Sequence, residues 1–178
     1  GIEGDFLWFA NDAISLGGNF SYTSTEFTED FFVIDDFDPN SPRSLFSPED
    51  RTINAKGRGL PNIPDWKATV WGQYGIDIGN RGKVDINTSL SYIDDVYFTV
   101  FEADRDQAPS YFRWDARVTW QSTTGKYSAS AFVNNILDDI GIRQVFASTE
   151  EDGWNRSAAT TEPRIFGLEL QYKLGPEY

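Results

Sequence analysis

Three groups of side chains in this sequence are equipped for chemistry. Asp35, Asp36 and Asp38 lie close together among Phe31, Phe32, Phe37 and Phe46. Carboxylates at that density suit Ca²⁺, which takes six to eight oxygen ligands. The run Asp35-Asp36-Phe37-Asp38-Pro39-Asn40 does not keep EF-hand spacing, so a solvated acidic loop is the competing reading and no metal site is assigned. A second group mixes rings and guanidinium forks: Phe37, Phe101, Arg105, Arg143, Phe146, Trp154 and Arg156. Such a mixture suits recognition of an anionic or aromatic ligand, or simply packs loops against each other. In the third group Arg113, Asp115 and Arg117 alternate along one segment, with Lys67, Gln73 and Asp85 on others. These either line an aqueous interior or satisfy one another as a cross-strand charge ladder.

What is missing narrows the chemistry further. Cys, His and Met are absent from all 178 residues. That removes thiolate catalysis, disulfides and zinc-thiolate sites, along with the commonest general base. No Gly-rich phosphate loop, nucleophile elbow or paired-carboxylate motif is present, so an enzyme is the least supported class and no cofactor is expected. A net charge of −13 argues against a nucleic-acid partner, which needs clustered Lys and Arg. No run of eighteen apolar residues occurs, which excludes a transmembrane helix. Lacking an initiator Met, the chain reads as a processed protein or a piece of a larger one.

The elements that must position these groups are strands. In Trp66–Ile78, the residues Trp66, Ala68, Val70, Tyr74, Ile76 and Ile78 alternate with Lys67, Thr69, Gln73 and Asp77. Side chains of a strand alternate faces, so one face is greasy and the other mainly wet. The same alternation recurs near 4–10, 14–27, 83–94, 111–121, 127–135 and 164–174. Leu7 and Phe9 break it by sitting on the supposed polar side. Short turns near 11–13, 79–82 and 122–125 alternate strictly with long loops at 28–64, 95–110 and 138–163. A transmembrane β-barrel keeps its periplasmic turns short and its extracellular loops long. Trp8, Trp66, Trp120, Tyr127 and Tyr172 fall near strand ends, where aromatic girdles sit at the headgroups.

The fold class expected is therefore all-β: about seven antiparallel strands of a transmembrane barrel in contact with outer-membrane lipid. Seven is odd, whereas bacterial single-chain barrels have even counts. An isolated seven-stranded sheet would also leave two unpaired edges in lipid. These strands are thus expected to belong to a larger barrel. The competing architectures are a passive porin-type barrel and a secreted β-sandwich that binds carbohydrate.

Several segments resemble one family. Ala131-Phe132-Val133-Asn134-Asn135-Ile136-Leu137-Asp138 looks like the V-x-N-L-F-D segment of TonB-dependent outer-membrane receptors. Asn19-Phe20-Ser21-Tyr22-Thr23, Leu60-Pro61-Asn62-Ile63-Pro64, Tyr111–Arg117 and Pro163-Arg164-Ile165-Phe166-Gly167-Leu168 resemble further segments of that family, in the family's order. The resemblance implies a 22-stranded barrel holding a plug domain that lies outside this chain. It also implies a TonB–ExbB–ExbD partner, folding by the barrel assembly machinery, and uptake of a small scarce nutrient such as an iron-siderophore. It makes this chain the C-terminal part of the barrel, with long loops outside the cell and the last strand ending in the periplasm. The closing aromatic of that strand falls to Tyr172 or Tyr178.

Overall fold

Seven of thirteen strands form one antiparallel sheet in a computed structural model that describes residues 1–175. In chain order the strands are β1 (Ile2–Phe9), β2 (Ile14–Tyr22), β3 (Phe32–Ile34), β4 (Thr52–Asn54), β5 (Trp66–Asp77), β6 (Lys83–Ile93) and β7 (Val96–Tyr97). They continue with β8 (Gln107–Ala108), β9 (Tyr111–Gln121), β10 (Tyr127–Asn134), β11 (Ile142–Ala147), β12 (Arg156–Thr160) and β13 (Ile165–Tyr172). The sheet runs β1-β2-β5-β6-β9-β10-β13, so each main strand pairs with the next one along the chain and β1 and β13 are its edges. Tyr178 lies outside the described residues.

The turns explain why neighbours pair. Asn11 Oδ1 accepts the N–H groups of Ala13 and Ile14 at 2.8 and 2.9 Å, an Asx turn closing β1 onto β2. Between β5 and β6, Asp77 accepts Gly79 N–H at 2.7 Å and Ile78 donates to Gly82 O at 3.0 Å. Gly82 is required there: φ is +101°, and a Cβ would sit 1.9 Å from the carbonyl oxygen of Gln121.

Register then sorts the side chains. Residues directly opposite in an antiparallel pair share a face, so rows can be followed across the sheet. One row reads Trp8, Leu16, Gly72, Thr88, Ala116, Val133, Phe166, and the next Ile14, Tyr74, Ile86, Val118, Ala131, Leu168. The opposite face carries Asp5, Asn19, Thr69, Ser91, Arg113 and, lower down, Ser15, Gln73, Asn87, Arg117. Leu7, Gly17, Trp71, Ser89 and Asp115 share one row of this polar face, with Trp71 lying over Gly17. The two residues that broke the pattern in β1 are therefore on the polar face, Leu7 56% and Phe9 69% exposed.

Nothing covers the apolar rows. Among the described residues, the buried hydrophobics are Ala55 and Ala108 alone, while Phe166, Leu168 and Leu170 are mostly exposed. The chain exposes 11748 Å², against roughly 8,700 Å² for a water-soluble monomer of its mass. A sandwich, which presses its apolar rows together as a dry core, is ruled out. This is a single-layer wall.

One expectation needs correction. The second strand does not run to residue 27; it stops at Tyr22, because from Thr23 the backbone bonds across to Asp65 and Phe27 to Arg58. The long loops have structure of their own. Each folds into a short hairpin: β3–β4, β7–β8 and β11–β12.

Candidate functional site

All three long connections (23–65, 94–110 and 135–164) leave the same end of the sheet. They hold 20 of the 28 acidic and 8 of the 15 basic residues, so they carry a formal charge of −12 out of −13. Their arginines fasten them together.

Arg105, in the second loop, reaches Asp35 at 3.1 Å and Asp38 at 3.8 Å in the first, and its own neighbour Asp106 at 3.9 Å. Arg156, at the start of β12, lies 3.2 Å from Asp106 and donates to the carbonyl of Phe37 at 2.8 Å. Asp106 has no solvent exposure and also accepts the Thr99 hydroxyl at 3.1 Å. Arg51, itself buried, pairs with Asp36. Arg43 ties the first loop to Glu151 of the third at 2.5 Å, and Ser44 N–H donates to Glu150 at 3.0 Å. Arg58 donates to the carbonyls of Val100 and Phe101, and Glu102 accepts Gly59 N–H at 2.8 Å.

This network decides how the ligand candidates are disposed. Phe37 and Phe101 meet with ring centroids 6.2 Å apart, beside Arg105 and Arg156. Both guanidiniums already hold internal acceptors, which leaves them less free to grip an anion. Trp154 is half-buried with its indole N–H unpartnered, and Phe146 is 51% exposed on β11. Arg143 stands apart from the network. Asp35, Asp36 and Asp38 each face an arginine, and among the described residues no group of three acidic side chains could hold a metal ion.

Burial is the largest influence on Asp35 and pushes its carboxyl above the ordinary 3.8, against the Phe37 N–H and Arg105. Glu150 is held below its ordinary 4.5, chiefly by the Ser44 hydroxyl.

Lys67, Gln73, Asp85, Arg113, Asp115 and Arg117 all lie on the polar face. Arg113 pairs with Asp115 at 3.1 Å on its own strand and with Glu162 at 3.2 Å. Arg117 crosses β10 to reach Glu169 on β13 at 2.9 Å and lies 4.8 Å above the Phe132 ring. Asp85 takes Lys83 at 3.1 Å.

Sequence reasoning missed two organising residues, Asp106 and Asn135. Asn135 is buried with φ +54°; its N–H donates to Asp115 at 2.7 Å and its side chain to the carbonyls of Asp139 and Glu162. The N–H of Phe112 donates to Asp139, and that of Arg164 to Asp138, both at 2.8 Å. The Asn-x-x-Asp spacing was visible; its task of fastening the third loop to β9 and β13 was not.

A one-layer wall with an exposed apolar face, turns at one end and an interlocked cap at the other defines a piece of a transmembrane β-barrel. The chain belongs to the TonB dependent receptor-like, beta-barrel family, which it matches over residues 1–136; barrels of this family are outer-membrane proteins. It is similar in fold to the ferric yersiniabactin uptake receptor FyuA from Yersinia pestis (17% identity, TM-score 0.71) and to the siderophore receptor PiuA from Acinetobacter baumannii (20%, 0.69). Each alignment covers 96% of this chain but only 22% and 21% of those receptors, so the chain spans about a fifth of their length. No curated protein matches it.

Proposed function

We propose that this chain is the C-terminal part of an outer-membrane receptor that takes up a scarce small nutrient, an iron-siderophore or a compound like it, with energy delivered through TonB. Family membership is the observation that carries the reading. The unpaired edges of β1 and β13 support completion by further strands, since an open edge in hydrocarbon costs several kcal/mol per unsatisfied group. On this reading the apolar rows meet lipid and the polar face lines the lumen. Lys67, Gln73, Asp85, Arg113, Asp115 and Arg117 then face the plug domain or the substrate path.

The cap of long loops is the extracellular mouth. Phe37, Phe101, Arg105, Arg143, Phe146, Trp154 and Arg156 are its candidate ligand contacts. The last strand ends in the periplasm, where the TonB–ExbB–ExbD complex acts, after insertion by the barrel assembly machinery. The role is transport rather than catalysis. Deleting the gene should abolish energy-dependent uptake of one ferric chelate among a tested panel under iron limitation, and the complete gene should restore it. Unchanged uptake and growth across the panel would overturn the proposal.

A further inference from the structure

Of the eight cations in the three long loops, six (Arg43, Arg51, Lys56, Arg105, Arg156, Arg164) form ion pairs with the chain's own carboxylates, and Arg58 is spent on carbonyls. Arg143 is the exception. Among the described residues its side chain makes no ion pair or hydrogen bond, and neither does that of Lys67 at the top of β5. Both line one cavity of about 230 Å³ at the base of the loops, with Phe98, Tyr111 and Ile142 as part of its apolar wall. The carboxylate there, Asp94, accepts the Tyr92 hydroxyl at 2.6 Å and the N–H of Asp95 on one oxygen, and neither cation pairs with it.

The backbone has two features that place Arg143 over this cavity. The register of β11 against β12 slips between Ile142 and Gln144, so Arg143 is the extra residue of a β-bulge. Bulges re-aim a side chain and recur beside functional sites. Just before it, Gly141 lies flat on the Tyr111 ring; a Cβ would come within 2.4 Å of the ring carbons. Gly141 is pinned there by Thr161, whose hydroxyl accepts its N–H at 3.0 Å. Both side chains are exposed, so each can reach a ligand carboxylate without first giving up a partner of its own.

We infer that Lys67 and the bulged Arg143 form a subsite for an anionic group carried on an aromatic or short apolar arm of the ligand. The two cations supply charge-assisted hydrogen bonds, and Phe98 and Tyr111 take the arm. The cavity is smaller than the 300 Å³ or so at which whole-ligand pockets begin, so it takes one arm of a larger molecule. The inference rests on the loops being the receptor's outer mouth. Gly141 is a positioning residue.

The test uses the full-length receptor in detergent, with 4-fluorobenzoate as probe and 4-fluorobenzyl alcohol as its uncharged counterpart, both read by ¹⁹F line broadening. The acid should bind and the alcohol should not. Arg143→Gln and Lys67→Gln should each weaken the acid by about tenfold, the scale of one charge-assisted bond. Heat-modifiable migration shows whether a variant has assembled. If one fails to, the other reads the same subsite from a separate strand. Absence of binding, equal binding of the alcohol, or undiminished binding to the double variant would overturn the subsite. Because this assay needs neither transport nor energy, uptake left unchanged by deleting the gene, with benzoate binding intact, would count against the transport reading alone.

Discussion

Arg156 Nε stands 3.2 Å from Oδ1 of Asp106, a carboxylate closed off from solvent, and the same guanidinium donates to the carbonyl of Phe37. One side chain thus joins the third loop to the first two. Breaking a buried pair by removing one partner costs about 3–5 kcal/mol, because the other charge is stranded. Asp106→Ala should therefore loosen all three loops. Externally added protease should cut them at least about tenfold faster, by the same stranded charge, while the sheet, which shares none of these bonds, keeps its heat-modifiable band.

Acid should act on two loop carboxylates in opposite ways. Glu150 titrates below its ordinary 4.5, so its bond to Ser44 is at full strength above 4.5 and is lost as pH falls through the lower folded value. Asp35 titrates above its ordinary 3.8, so its ionised form is the strained one and protonation relieves it. Spin labels at Ser41 and Asp152 should therefore separate below pH 4.5, and Asp35→Asn should leave their pH 7 distance unchanged or narrower.

The apolar face of the sheet carries a hydrogen bond that can be removed cleanly. Trp114 Nε1 donates to Thr88 Oγ1 at 2.7 Å on the apolar face. Thr88→Val strands the indole N–H on an apolar face and should lower unfolding free energy by about 1–3 kcal/mol. Adding Trp114→Phe should recover part of that loss, so a double-mutant cycle in lipid bilayers measures the coupling.

Adjacent residues of β6 should respond oppositely to charge. Leu90 lies in an apolar row with Val70 and Trp114; Ser89 lies in a polar-face row beside Asp115. Leu90→Arg should cost about 2–4 kcal/mol if near the bilayer midplane. Ser89→Arg, with a carboxylate opposite, should assemble as well as the parent, read as the fraction of folded band.

The wall was legible because a strand has period two, and Trp66–Ile78 or Tyr111–Gln121 show that period without interruption. β1 was ambiguous for a physical reason. Leu7 and Phe9 occupy the polar face, and Leu7 shares a row there with Gly17 and Trp71, so the wet face has its own apolar patch. The loop cap was illegible because its contacts join residues far apart in sequence, such as Phe37 with Arg156 and Arg43 with Glu151. Reading Arg105 and Arg156 as ligand residues rested on their type. Their partners Asp35 and Asp106 are fixed only by how three loops converge, and the hairpins inside the loops are too short to leave a period.

Whether the two faces meet lipid and water is best measured at Val118 and Thr119, adjacent on β9 but on opposite sides of the sheet. Nitroxides placed singly at each, in the full receptor in bilayers, report collisions with apolar oxygen and with a polar nickel chelate. Position 118 should be relaxed strongly by oxygen and weakly by the chelate, with the ratio reversed or sharply reduced at 119. Equal ratios at both, or protection of 118 from oxygen, would contradict the two-faced transmembrane wall.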